Sequence, residues 1–269
     1  MTRTDDSVVP DYQGRLRLDG RGFVVLGAGQ GIGRQATHAL AGAGARCFCV
    51  DLDEGLARDI AAEVGGVAGV GDATSREDAT RLFEEADRAL GDCGGVRGVV
   101  DIIGMARYGD LLTLPDSEWD WHHDIVLRHA FLAVQLGGQR IIANGGGSLT
   151  FIASVSGQSG APRHAAYGVA KAGLISLVKS AALELGPRGV RVNAVAPGVV
   201  WTPRVSAYLG EAGRERTAGN APLQRVAEPA DIAGVLLFLA GDLAGFMTGQ
   251  VITVDGGVSA KFPYPMDGL

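Results

Sequence analysis

The chain predicts a single α/β domain, built as a doubly wound parallel β-sheet with helices on both faces. Three observations carry this. Short apolar runs alternate with longer helical patterns along most of the chain. The apolar runs are continuous, with none of the every-second-residue alternation of a half-exposed sheet, as strands covered on both faces require. With 269 residues the chain can bury one large core, and no internal repeat, low-complexity tract or linker divides it.

Strands are predicted at 22–26, 46–50, 96–102, 147–152, 191–196 and 250–254, with helices near 31–43, 54–64, 75–90, 116–143, 164–187 and 228–240. Asp116 ahead of Trp119 and Trp121 resembles a helix start, and Pro229 suits the first turn of the last helix. Gly186-Pro187-Arg188-Gly189 is a stop signal. Residues 1–19 read as a polar lead-in, 20–258 as the domain and 259–269 as a tail, with a segment of shifted composition at 199–226.

Composition excludes several classes. The net charge is −6 and no Lys/Arg-rich stripe is present, so binding to nucleic acid through its phosphates is not expected. The start Met1-Thr2-Arg3-Thr4-Asp5-Asp6 is polar, without the apolar run of a signal peptide. No stretch reaches the ~20 uninterrupted apolar residues of a membrane span; a cytoplasmic protein is expected. Cys47, Cys49 and Cys93 have the spacing of neither a disulfide framework nor a metal site, and no metal is expected. Cys47 and Cys49 read as small buried hydrophobes.

Gly27, Gly29, Gly31 and Gly33, with Gln30 and Ile32 between them, follow the first strand and open the first helix. Glycine lets the backbone turn tightly and approach a pyrophosphate, and the helix N-terminus offers free N–H groups and a positive dipole end. The next strand ends in Asp51, eighteen residues after Gly33, with Leu52 beside it. A carboxylate there can accept from both adenosine ribose hydroxyls and repels a 2′-phosphate, and Gln30 brings no positive charge for one. The pattern is that of a Rossmann-type dinucleotide site, with NAD favoured over NADP. Asp72, next to Ala73, follows the third apolar segment; it can reach an adenine amino group or cap the following helix, and both roles stay open.

Tyr167 and Lys171 stand four apart on a predicted helix, hence on one face. An ammonium beside a phenol favours the phenolate, so the Tyr167 pKa is expected below ~10. Such a tyrosine serves as general base for alcohol oxidation and general acid for carbonyl reduction. Ser154, thirteen residues upstream at a strand end, can hold the substrate oxygen while charge builds on it.

With these residues the chain resembles the short-chain dehydrogenase/reductase family from about residue 20 to 257. The family's glycine turn matches Gly27, Gly31 and Gly33, with Leu26 where a threonine commonly stands. Its Ser–Tyr–Lys set matches Ser154, Tyr167 and Lys171. Its post-strand motif matches Asn193-Ala194-Val195-Ala196-Pro197-Gly198-Val199-Val200-Trp201-Thr202, and its C-terminal signature matches Val254-Asp255-Gly256-Gly257. The resemblance implies that the Val200 backbone and Thr202 hydroxyl hold the nicotinamide carboxamide, that Pro197 and Gly198 shape that wall, and that Ile103, Gly104, Tyr167 and Lys171 also contact the cofactor.

Two departures stand out. Where the family reads Asn-Asn-Ala-Gly, this chain has Asp101-Ile102-Ile103-Gly104, so Asp101 keeps only the acceptor function of the first asparagine. Val126 stands where the family's helix asparagine supports a proton relay to the lysine. His129 replaces a usual glycine one turn later, and His122 lies one turn earlier. Either His129 or water completes the relay, or these histidines pack or face solvent.

The 199–226 segment occupies the place of the family's substrate lid. Trp201, Val205, Tyr208 and Leu209 give it apolar surface, with Arg214 and Arg216 expected in solvent. Met105, Ala106 and Tyr108 are expected on the opposite wall, and Ser156 near the substrate. A hydrophobic or cyclic alcohol or ketone fits such walls. The resemblance further implies dimer contacts through the helices at 116–143 and 164–187, a homotetramer, and an interface role for the tail run Phe262-Pro263-Tyr264-Pro265-Met266. Two other readings stay open: an NADP-linked 3-oxoacyl-thioester reductase, and a catalytically silent dinucleotide-binding sensor or scaffold.

Overall fold

Seven strands form one parallel sheet: β1 (Gly22–Leu26), β2 (Arg46–Asp51), β3 (Val67–Val70), β4 (Val96–Asp101), β5 (Gly147–Ile152), β6 (Val190–Pro197) and β7 (Val251–Val254). Their order is β3-β2-β1-β4-β5-β6-β7. The computed structural model describes residues 7–262. The chain winds outward from β1 in one direction and then from β4 in the other, and the crevice at the C-terminal ends of these two strands is where such sheets bind ligands.

Burial on both faces explains the continuous apolar runs. Along β1, Val24 and Leu26 pack with Phe48, Val50, Val99, Leu149, Phe151 and Leu174 on one face of the sheet. Phe23 and Val25 pack with Cys47, Cys49, Leu40, Ile60, Ile232 and Leu236 on the other. Cys47 and Cys49 are buried free thiols, as expected, and burial pushes each up to about 12.

The helices are α1 (Gly31–Gly42), α2 (Glu54–Val64), α3 (Arg76–Ala89), α4 (Asp116–His123), α5 (His129–Leu132), α6 (Gly138–Ala143), α7 (Ala165–Leu185), α8 (Pro203–Asn220) and α9 (Pro229–Ala240). Two π-helical segments, Asp124–Arg128 and Ala133–Gly137, join α4, α5 and α6 into one helix over 116–143. Single π turns in α-helices are frequent at functional sites. By length and composition, the helix through Ala165–Arg188 is apolar enough to cross a membrane. Here its Ala166, Ala170, Leu174, Val178, Ala181 and Ala182 stripe is buried on the sheet, with Lys171 among them.

Every predicted element is present within two residues of its expected ends. Two elements were not predicted. β3 has four residues on the sheet edge, with Gly69 inside it and Val70 exposed, so its apolar signal is short. α8 occupies most of the lid segment. Thr202 caps it by accepting the Val205 N–H, Pro203 opens it, and Gly210 breaks it at φ 59°. The ends of the lid are tied together by a parallel bridge between Val200 and Ala227. Leu18, assigned to the polar lead-in, is fully buried against this core, so packing begins before residue 20. Of the aromatic tail run, Pro263-Tyr264-Pro265-Met266 lies outside the described residues.

Candidate active site

The turn between β1 and α1 is shaped for an anion. Gly27 and Gly31 have left-handed backbones, at φ 78° and 58°. A Cβ on Gly33 would lie 1.9 Å from the Gly27 carbonyl oxygen, so only glycine lets α1 begin this close to β1. Gln30 precedes α1 without a side-chain cap, and the first turn, which includes Ile32, has no acidic residue. The N–H groups and positive dipole end there suit a pyrophosphate. Ile103 and Thr202 close on this turn: a Cβ on Gly27 would sit 3.3 Å from Ile103 Cγ1, and one on Gly31 3.2 Å from Thr202 Cγ2.

Asp51 is fixed at the end of β2. Its Oδ2 accepts the Gly29 N–H at 2.9 Å and its Oδ1 the Asp53 N–H at 3.1 Å, with Leu52 exposed beside it. Asp72 does not cap α3. Its Oδ1 accepts the Thr74 N–H at 2.8 Å and hydroxyl at 2.7 Å, while Ser75 provides the cap. The Ala73 side chain is buried in the core.

At the other end of the cleft Pro197 ends β6. The Gly198 N–H donates to the Val254 carbonyl at 3.0 Å, with Asp255 packed against it. Val200 is buried and held by its bridge to Ala227. The Thr202 hydroxyl accepts the Val205 N–H at 3.3 Å.

Ser154, Tyr167 and Lys171 converge as the spacing suggested. Ser154 follows β5 and accepts the Ser156 N–H at 3.1 Å. The Lys171 Nζ lies 5.7 Å from the Tyr167 ring centroid and donates to the Ile152 carbonyl at 2.6 Å. A Cβ on Gly104 would stand 2.9 Å from that Nζ, so the 101–104 turn lies directly against the ammonium. The expected lowering of the Tyr167 pKa is not found. Burial pushes the phenol up to about 12, outweighing the hydrogen bond with Ser154 that pulls it down. Burial also draws Lys171 down to about 8, against the Asp101 charge that raises it. An ammonium that is itself penalised by burial offers the phenolate less support than the spacing alone implied.

Asp101 does act as an acceptor. Its Oδ1 takes the Ile103 N–H at 3.1 Å, and its Oδ2 the His129 Nδ1–H at 2.7 Å, both side chains being fully buried. Val126, in the first π segment, is buried and apolar. His122 packs and joins no relay chain: its Nδ1 donates to the Glu118 carbonyl at 2.6 Å and its Nε2 accepts the Arg107 N–H at 3.0 Å. The Nε2 contact pins the 102–115 loop to α4, while the Nδ1 bond stays within the helix.

His164, absent from the sequence-based site, lies within it. Its ring stacks on Tyr108 at 4.5 Å, Tyr108 stacks on Tyr208 at 5.3 Å, and His164 lies 5.1 Å from Tyr167. This aromatic wall links the lid to the reactive face. Ser156 contributes through a 3.2 Å hydrogen bond to His164 Nδ1. Met105 is half-buried on the neighbouring loop. Trp201 packs within the lid, under the Arg214 guanidinium at 4.8 Å. Arg214 pairs with Glu228 at 2.8 Å and keeps its side chain 39% exposed, and Arg216 is exposed. A cavity of about 550 Å³ lined by Arg21, Arg97 and Arg191 lies at the opposite end of the strands and has no part in this site.

Residues 27–259 match the family model described as "Enoyl-(Acyl carrier protein) reductase". The chain belongs to the short-chain dehydrogenase/reductase family. It is 33% identical over 245 residues to the 3-oxoacyl-[acyl-carrier-protein] reductase FabG of Thermotoga maritima, covering 90% of this chain and 99% of that one. It is 35% identical over 253 residues to the D-threitol dehydrogenase of Mycolicibacterium smegmatis, covering 91% and 95%. A 7α-hydroxysteroid dehydrogenase structure, solved with NADH and 7-oxo glycochenodeoxycholic acid, superposes with a TM-score of 0.85 at 29% identity, covering 92% of this chain and 98% of that one. The protein is an oxidoreductase of the alcohol/ketone class, in a family that binds NAD(P).

Proposed function

We propose that this oxidoreductase uses NAD to interconvert a secondary alcohol and a ketone, with a hydrophobic or cyclic skeleton, and that Tyr167 moves the proton. The observation that carries this reading is the convergence of Ser154, Tyr167 and Lys171 beyond the C-terminal end of β5, with Gly104 against Lys171 and its neighbour Ile103 against the glycine turn.

In this reading Gly27, Gln30, Gly31, Ile32 and Gly33 hold the pyrophosphate, and Asp51 the adenosine ribose, with Leu52, Asp72 and Ala73 around the adenine. Ile103, Gly104, Pro197, Gly198, Val200 and Thr202 surround the nicotinamide, and Lys171 binds its ribose. A bound nicotinamide supplies the hydride donor or acceptor. Ser154 holds the substrate oxygen by hydrogen bonding as its charge changes. Tyr167, protonated at neutral pH because its pKa is about 12, donates to that oxygen in carbonyl reduction. Oxidation of the alcohol needs the phenolate and therefore gains as pH rises. Tyr108, His164 and Tyr208, with Ser156 and Met105, form the substrate wall.

A panel of secondary alcohols with NAD, read at the NADH absorbance beside Tyr167→Phe, tests the reading. Turnover that Tyr167→Phe removes supports it; no turnover with NADH still bound favours a silent dinucleotide-binding protein. An NADP-linked 3-oxoacyl-thioester reductase is the second reading, favoured by the similarity to the Thermotoga reductase and opposed by Asp51. Exposed Phe131, Val169 and Leu183 on the 116–143 helix and α7 support self-association through these helices, and with the family resemblance we propose a homotetramer working in the cytoplasm.

A further inference from the structure

Two buried charge-bearing residues outside the Ser154/Tyr167/Lys171 set lie beside it. Asp101 ends β4, and His129 opens α5 from the opposite layer; each is about 1% exposed. The carboxylate is positioned on both oxygens, by the Ile103 N–H at 3.1 Å and by the His129 ring at 2.7 Å. That second bond places the imidazole proton on Nδ1. Among the described residues the buried Nε2 has no hydrogen-bond partner, so the ring is held from its Nδ1 side alone. The pair so arranged presents one negative charge. Lys171, also about 1% exposed, presents the matching positive charge, and its Nζ lies against the 101–104 turn that begins at Asp101.

We propose that Asp101 and His129 are a positioning pair for Lys171: the imidazole orients the carboxylate, and the carboxylate keeps the ammonium charged within the site. The assignment deepens the proposed function, since a charged Lys171 is what supports the Tyr167 phenolate and binds a ribose. A buried ammonium without a counter-charge sheds its proton. The Ile152 carbonyl accepts a hydrogen bond from Lys171 but carries no charge. The other titratable groups nearby are Tyr167 on α7, His164 before it, His122 on α4 and Tyr108 on the intervening loop. None of these carries a negative charge at neutral pH while Tyr167 stays protonated, so Asp101 supplies the counter-charge.

The chain has three lysines, Lys171, Lys179 and Lys261, and the latter two are exposed. ¹³C-lysine NMR therefore reads the Lys171 titration directly, in the full chain and without substrate. In the wild type it should titrate near 8. Asp101→Asn keeps the acceptor for Ile103 and removes the charge; the Lys171 midpoint should fall by about one unit, a tenfold loss of proton affinity. His129→Leu strands the carboxylate and should shift Lys171 the same way, whereas His129→Asn restores a donor at the Nδ1 position and should bring the midpoint back. In carbonyl reduction, which uses the protonated Tyr167, the kcat–pH profile should follow, its basic limb moving to lower pH in Asp101→Asn. An unshifted Lys171 in folded Asp101→Asn overturns the assignment, as does a His129→Asn midpoint no different from that of His129→Leu. Because the titration needs no turnover, a failure of the proposed dehydrogenase reaction is distinguished from a failure of the pair.

Discussion

Asp51 and Gly29 are joined across the turn between β1 and α1: the carboxylate Oδ2 accepts the glycine N–H at 2.9 Å. The bond fixes a negative charge at the tip of β2, where an adenosine ribose is expected. Asp51→Asn retains an acceptor oxygen and removes the charge. The ratio of NADPH to NADH affinity should rise by about tenfold, or ~1.4 kcal/mol, in fluorescence titration. An unchanged ratio would show that Asp51 does not select against the 2′-phosphate.

Glycine is needed at Gly33 and dispensable at Gly42, in the same helix. A Cβ at Gly33 meets the Gly27 carbonyl oxygen at 1.9 Å, whereas one at Gly42 meets nothing within 4 Å. Gly33→Ala should destabilise by ~1–3 kcal/mol through overpacking and weaken NADH binding. Gly42→Ala should stabilise by ~0.5–1 kcal/mol. Thermal unfolding with and without NADH measures both.

The stack of Tyr208 on Tyr108 ties the lid to the substrate wall. Aromatic pairs contribute ~0.5–1.5 kcal/mol beyond their burial. Tyr208→Ala should therefore raise KM by about 2- to 10-fold and leave kcat within about twofold. A fall in kcat with unchanged KM would place Tyr208 in the chemistry instead.

Lys171 makes folding depend on pH in the alkaline range. Its folded pKa of about 8 lies below the ordinary 10.5. Below pH 8 the lysine is charged in both states and its burial cost is fully present. Between 8 and 10.5 the unfolded chain binds the proton and the folded protein does not, so stability rises with pH. The total is about 3 kcal/mol. Lys171→Met should lack that rise, which denaturant unfolding at pH 7 and pH 10 measures as a smaller gain than in the wild type.

Local patterns were legible in the sequence and long-range pairings were not. The glycine turn, Asp51 and the Tyr167/Lys171 spacing each depend on residues close in sequence or at strand ends, and all fall where expected. The bond between Asp101 and His129 spans 28 residues, and only packing of the 116–143 helix on β4 brings them together. His164 gave no signal because its importance comes from the rings of Tyr108 and Tyr167 around it. Helix α8 was hidden by the break at Gly210 and its polar composition. The direction of the Tyr167 shift was missed for a related reason: spacing shows the neighbouring lysine, but burial, which decides the sign, belongs to the whole fold.

The most direct test of the proposed chemistry is the rate of NADH-linked turnover of the best secondary alcohol or ketone by wild type and Tyr167→Phe. Removing the phenolic hydroxyl should lower kcat by ~10²–10⁴-fold, with NADH affinity unchanged within about twofold. A Tyr167→Phe enzyme that keeps wild-type kcat would contradict Tyr167 as the proton-transferring group.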